Sequence, residues 1–133
     1  LIRPVCSPQL VRGFELPMAP SDILNLPLAS ARNWPDDWMS WAKEAGMEFE
    51  PKVKPVEYES RAFMFDAAIS GHAVVMADLR LTAADERAGR LVPLNPLTVE
   101  RPQGIYLVTR ERNADPRLDL FLEWLKHEAS FLN

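Results

Sequence analysis

Covalent catalysis needs a nucleophile with a base in reach, and the chain offers one cysteine, Cys6, and two histidines, His72 and His127. No short motif joins them, and His127 sits at the polar end of a helical stretch, where cation–dipole attraction explains it. No zinc-ligand spacing, glycine-rich phosphate loop or paired-carboxylate motif occurs, so the pattern supports neither an enzyme, a metal site nor a cofactor. What remains is binding chemistry. Ser60 stands where a strand-like run hands over to a helical one, a place where free backbone N–H groups and the helix dipole favour a carboxylate or phosphate. Serine is equally a preferred helix cap with no ligand at all. Arg32 and Asn33 follow another strand-like run and are placed either to fork onto a carboxylate or to lie solvated on a loop. Trp34, Trp38 and Trp41 offer stacking surfaces. Trp38 and Trp41, with Ala42 and Ala45, keep the i, i+3, i+4, i+7 spacing of a buried helical face, whereas Trp34 precedes that helix and is free to line a rim. Ser7, before Pro8, has the pattern of a cap with proline at the first helical position, with ligand contact as the lesser alternative.

The elements that would hold these residues alternate. A strand over 1–5 leads through Ser7-Pro8 to a brief helix ending near Gly13. A helical turn near 20–24 and a buried strand at 26–31 follow, then the Trp-bearing helix, stopped by Gly46. Residues 49–58 carry Val53 and Val56 among prolines and lysines, which predicts a weak strand at a sheet edge. A helix from 59–60 to Gly71, a strand at 73–76, a helical segment at 81–88 and a strand at 91–94 come next. Pro93, Pro96 and Pro102 mark a crossing loop before a strand at 105–109, and a terminal helix places Leu118, Phe121, Leu122, Leu125, Ala129 and Leu132 on one side. Strands alternating with helices predict an α/β fold, a mainly parallel mixed sheet flanked by helices, with ligands approaching the strand tips.

Composition narrows the functional classes. With 133 residues, 47% apolar and 26% charged, the chain is of a size and kind to bury a core. Its formal net charge of −4 gives no broad attraction to phosphate backbones or anionic lipid, so no direct nucleic-acid contact and no membrane partner are expected. A single cysteine fits a reducing compartment, and the cytoplasm is the expected location.

The sequence closely resembles the effector-binding domain of LysR-type bacterial transcriptional regulators in its C-terminal part. The residues that carry the likeness are Arg3-Pro4-Val5-Cys6-Ser7-Pro8, the Trp-rich stretch from Trp34 to Gly46, Ala67-Ala68-Ile69-Ser70-Gly71, Ala88-Gly89-Arg90-Leu91-Val92, Gly104-Ile105-Tyr106-Leu107-Val108 and the terminal Leu118–Glu128. Ala73 departs from the pattern, standing where the family commonly has a second glycine. The resemblance implies one lobe of a type 2 periplasmic-binding-protein-like fold. Residues 1–100 would be the second lobe, and 101–133 the crossing strand and C-terminal helix that normally return to the first. It also implies a non-enzymatic module that senses a small polar or carboxylate-bearing effector at the inter-lobe cleft, with Ser60 at a position where related regulators use a polar residue. Tyr106 occupies the returning strand where similar regulators carry a cleft-bordering aromatic; a packed strand tyrosine is the alternative. The family's winged helix-turn-helix and most of the first lobe have no counterpart in these residues. The terminal helix would then leave apolar side chains without their usual sheet, each worth about 1.5–3 kcal/mol when buried. If these residues are the whole molecule, the helix is expected to repack on its own lobe or to insert into a second copy, as a homodimer that is either swapped through that helix or symmetric. The rival is a stand-alone truncated regulator-like protein acting through oligomerisation or partner binding.

Overall fold

Successive side chains along a strand point to opposite faces, and the computed structural model, which describes residues 1–101, 108 and 116–130, buries both sets of the central strands on the two faces of one sheet. Five strands, β1 (Ile2–Cys6), β2 (Leu28–Ala31), β3 (Val56–Tyr58), β4 (Val74–Asp78) and β5 (Val92–Pro93), lie in the order β3-β2-β4-β1-β5. β2 runs parallel to both β3 and β4, while β1 runs antiparallel to β4 and β5, so the sheet is mixed in equal parts. The short, proline-flanked β3 is an edge strand, as its composition requires.

One face takes Ile2, Cys6, Leu28, Val74 and Met76, covered by α1 (Pro20–Ile23) and α2 (Asp37–Glu44) through Ile23, Trp38 and Trp41. The other takes Val5, Ala29, Ala31, Val75 and Ala77 beneath α3 (Arg61–Ile69), which contributes Met64 and Ala68. α4 (Leu79–Arg87) follows β4 directly and is fastened back to β1 by Arg3, whose guanidinium donates to Glu86 at 2.6 Å. Trp38 and Trp41 are fully buried, and each indole N–H is satisfied: Trp38 donates to the Ala29 carbonyl at 2.8 Å and Trp41 to the Leu97 carbonyl at 3.1 Å. The two rings meet edge to face, and Trp38 stacks on Phe49. The helix that the spacing of Trp38, Trp41 and Ala42 predicts is therefore the main cover of its face.

The brief helix expected after Ser7-Pro8 does not form. Leu10, Arg12 and Phe14 donate to Ser7, Gln9 and Val11, a succession of i to i+3 turns that never propagates, and Gly13 leaves it with a φ of 91°. A short segment forms one bond for each turn nucleated, so anchoring Val11 in the core decides its path instead. Gly71 closes α3 with a φ of 78°, passing N–H bonds from Gly71 and His72 back to Ala68 and Ala67. That glycine makes the turn alone, and Ala73, the departure from the family pattern, is buried at the head of β4.

The chain divides into two units, residues 1–102 and 103–133. In the second, α5 (Pro116–Ser130) sets the Phe121 and Trp124 rings 5.8 Å apart. The strand expected at 105–109 and residue Leu132 lie outside the described residues, apart from Val108.

Candidate functional site

Parallel strands bring their carboxyl ends to one edge of a sheet, and the loops and helix starts that follow them meet there. At this edge β2 delivers Arg32, Asn33 and Trp34, β3 delivers Glu59, Ser60 and Arg61, and β4 delivers Asp78 and Arg80. Because Ile2 bridges to Val99, Arg101 arrives at the same edge from the far side.

Ser60 has extended backbone (φ −133°, ψ 156°), and its Oγ accepts from the Phe63 N–H at 3.4 Å. It therefore caps α3, leaving its own O–H to donate and the N–H groups of Arg61 and Ala62 without an intrahelical acceptor. Trp34 turns back through its N–H to the Ala31 carbonyl at 2.8 Å, which lays the indole across the start of α3. Two guanidinium groups flank that ring, Arg101 with its central carbon 4.4 Å from the centroid and Arg61 at 5.4 Å. Arg101 is held by Asp37 in a two-pronged pair, Nε to Oδ1 at 3.0 Å and Nη2 to Oδ2 at 2.5 Å, with both side chains about nine-tenths buried. A narrow crease runs beneath, lined by Ala29, Ser30, Ala31, Trp34, Asp37, Trp38, Arg61, Met64 and Met76.

The remaining charges at this edge are spoken for. Asp78 caps α4 by accepting from the Arg80 N–H and also takes the Arg80 guanidinium. Burial works against the Asp78 carboxylate, but those hydrogen bonds outweigh it and hold the group below its ordinary range. Arg32 is exposed and engages Glu57 at 3.2 Å and Glu59 at 3.5 Å, so its fork is already occupied by acids of its own chain. Asn33 is exposed in the same turn.

Of the residues singled out in the sequence, Ser60, Arg32, Asn33 and Trp34 come together at this edge. Ser7 does not. It follows β1, which runs antiparallel, so it lies at the opposite edge, buried, its N–H on the Ala68 carbonyl and its Oγ accepting from Gln9. Tyr106 lies outside the described residues. Cys6 is buried in the core beneath the sheet, its thiol pushed up to about 12 by burial alone, which leaves it inert as a nucleophile. Arg61, Asp37 and Arg101 were not legible as site residues. Asp37 and Arg101 lie 64 positions apart, but Arg61 carried a local signal: a cation in the first turn opposes the helix dipole.

A family model described as the LysR substrate binding domain matches residues 2–130. The glycine cleavage system transcriptional activator of Escherichia coli K12 is 29% identical over 132 residues, covering 96% of this chain and 42% of that protein. The HTH-type transcriptional regulator TrpI of Pseudomonas aeruginosa is 28% identical over 129 residues, covering 96% of this chain and 43% of its own length. The chain thus spans less than half the length of these relatives. Among solved structures, the AmpR effector binding domain from Citrobacter freundii superposes with a TM-score of 0.73 at 26% identity, over 94% of this chain and 61% of that one.

Proposed function

The chain belongs to the LysR substrate-binding domain family, and from that premise we propose that it is the ligand-sensing, non-enzymatic lobe of a transcriptional regulator, taking a small polar or carboxylate-bearing effector at the strand-tip edge. The observation that carries the proposal is the convergence of a capped helix start, its uncommitted N–H groups and an indole wall at one place, while the charges elsewhere along that edge are internally paired. Ser60 would offer its O–H and the first N–H groups of α3 to the effector, and Trp34 would cover it. In the whole regulator, effector would favour the closed arrangement of two lobes by the margin with which it binds that arrangement better, the only means by which a ligand shifts such an equilibrium. DNA contact would reside outside these residues, and the location is the cytoplasm. Homodimer formation is part of the same proposal, and the exposed Leu120, Phe121 and Trp124 of α5 support it.

A thermal-shift screen of small acids, amino acids, dipeptides, sugars and nucleosides tests the ligand assignment. We expect a stabilising hit whose effect is weakened by Ser60→Ala. A hit that stabilises the Ser60→Ala chain equally would remove Ser60 from the site.

A further inference from the structure

Four arginines gather at the strand-tip edge, and three of them have a carboxylate. Arg32 has Glu57 and Glu59, Arg80 has Asp78, and Arg101 has Asp37. Arg61 is the exception: no carboxylate of the described residues comes within ion-pair distance of it, and its Nη2 is buried with no hydrogen-bond partner. The guanidinium is instead held against the faces of Trp34 and Phe65, at 5.4 and 5.8 Å. Ring contacts offset some of the cost of removing a charge from water, but they leave its donors unused. Burial and the like charge of Arg101 press its pKa downward, although a guanidinium remains charged throughout the physiological range.

We propose that Arg61 is the anchor for an anionic group of the effector, and that the group is a carboxylate seated between the Arg61 guanidinium, the Ser60 hydroxyl and the edge of the Trp34 ring. The assignment rests on the ligand-sensing function proposed above and adds the class of ligand. Arg61, Arg101 and Asp37 sum to one positive charge around a single indole, so one negative charge neutralises the cluster. A planar monoanion suits a single guanidinium, whose two parallel N–H groups match two carboxylate oxygens. A phosphate dianion would bring more charge than the cluster can balance. Arg61 is only half-buried, so its side chain can swing outward over the start of α3 to meet the ligand, exchanging an orphaned donor for a charged acceptor.

The test is a titration of the ¹⁵N-labelled chain with acetate, N-acetylglycine and benzoate, then with their amides and with inorganic phosphate, following the Arg61 Nε–H and Trp34 indole resonances. The carboxylates are expected to shift both signals at millimolar concentration and the amides to leave them in place. Arg61→Gln should weaken the carboxylate response about tenfold or more, and Arg61→Lys should restore part of it. If Arg61→Gln unfolds, the acid-against-amide comparison on the unaltered chain still decides. Amides acting as strongly as acids would overturn the anion assignment and leave the ligand-sensing function standing. Phosphate in place of the carboxylates would overturn the ligand class. Silence from every probe would overturn the anchor, while a neutral hit from the thermal-shift screen would keep the sensing function alive without it.

Discussion

Replacing Asp37 with asparagine should destabilise the first unit by about 3 kcal/mol. The carboxylate and the Arg101 guanidinium are each about nine-tenths buried and joined through two hydrogen bonds, so both have given up most of their hydration. Removing one partner of such a pair typically costs about 3–5 kcal/mol, because the other charge is left in a poor solvent. Two features of the structure adjust that figure in opposite directions. Asparagine keeps one oxygen that can accept from Arg101, which places the loss near the lower end. Against this, Asp37 also acts favourably on Arg61, and without it the two like-charged guanidinium groups that pack on Trp34 lose an acid that offsets their repulsion. Urea unfolding followed by the fluorescence of buried Trp38 and Trp41 reads the change, with the slope required to stay constant so that the shift reports stability. Arg101→Met and the double substitution complete a cycle: if the cost of Asp37→Asn is the orphaned guanidinium, the double variant should recover at least about 1 kcal/mol of it. A loss under about 1 kcal/mol for Asp37→Asn, or simple additivity in the cycle, would refute the argument that the pair acts as a buried unit.

Acid should act partly through Asp78. Its folded carboxyl lies below the ordinary value near 3.8, so its contribution is present above that pH and is lost as the pH falls through the lowered value. The unfolding free energy of Asp78→Asn should accordingly fall less steeply than that of the unaltered chain below about pH 4, and parallel curves would contradict the assignment. Cys6 should resist thiol reagents at mildly alkaline pH until the chain opens, since burial both shields it and holds its pKa at about 12. Its labelling rate should therefore rise with urea along the unfolding transition, and prompt stoichiometric labelling of the folded chain would exclude that environment.

Local signals were the ones legible in the sequence. The spacing of Trp38, Trp41 and Ala42 announces α2 because a helix repeats its face within seven residues, and the prolines around Val56 announce an edge because each removes a ladder donor. Strand direction has no such local signature. β1 reads like its neighbours along the chain yet enters the sheet antiparallel, since its partner β4 lies some seventy positions downstream and register is fixed by packing rather than by pattern. Ser7-Pro8 shows the converse failure, a sound capping signal overruled because turns carry Val11 into the core and a helix has too few residues to establish itself.

The same division separates the site residues. Ser60 was visible because capping is decided within four residues, but what distinguishes Arg61 is a comparison among four arginines that only the folded edge brings side by side. Even so, the sequence held a conflict there: a cation occupies the first helical position, where the dipole disfavours it and where an acid or a neutral residue would stabilise α3. Sequences in which local preferences agree with the fold need no further explanation, whereas a residue that opposes its own helix and has no carboxylate of the described residues within ion-pair distance is a stability cost that a binding role can account for. If Arg61 has no such role, Arg61→Gln should stabilise the chain and leave every ligand response intact. If it anchors an anion, the same substitution should stabilise the free chain while abolishing the stabilisation that a carboxylate confers, and the opposite signs of those two effects separate a binding site from a mere imperfection.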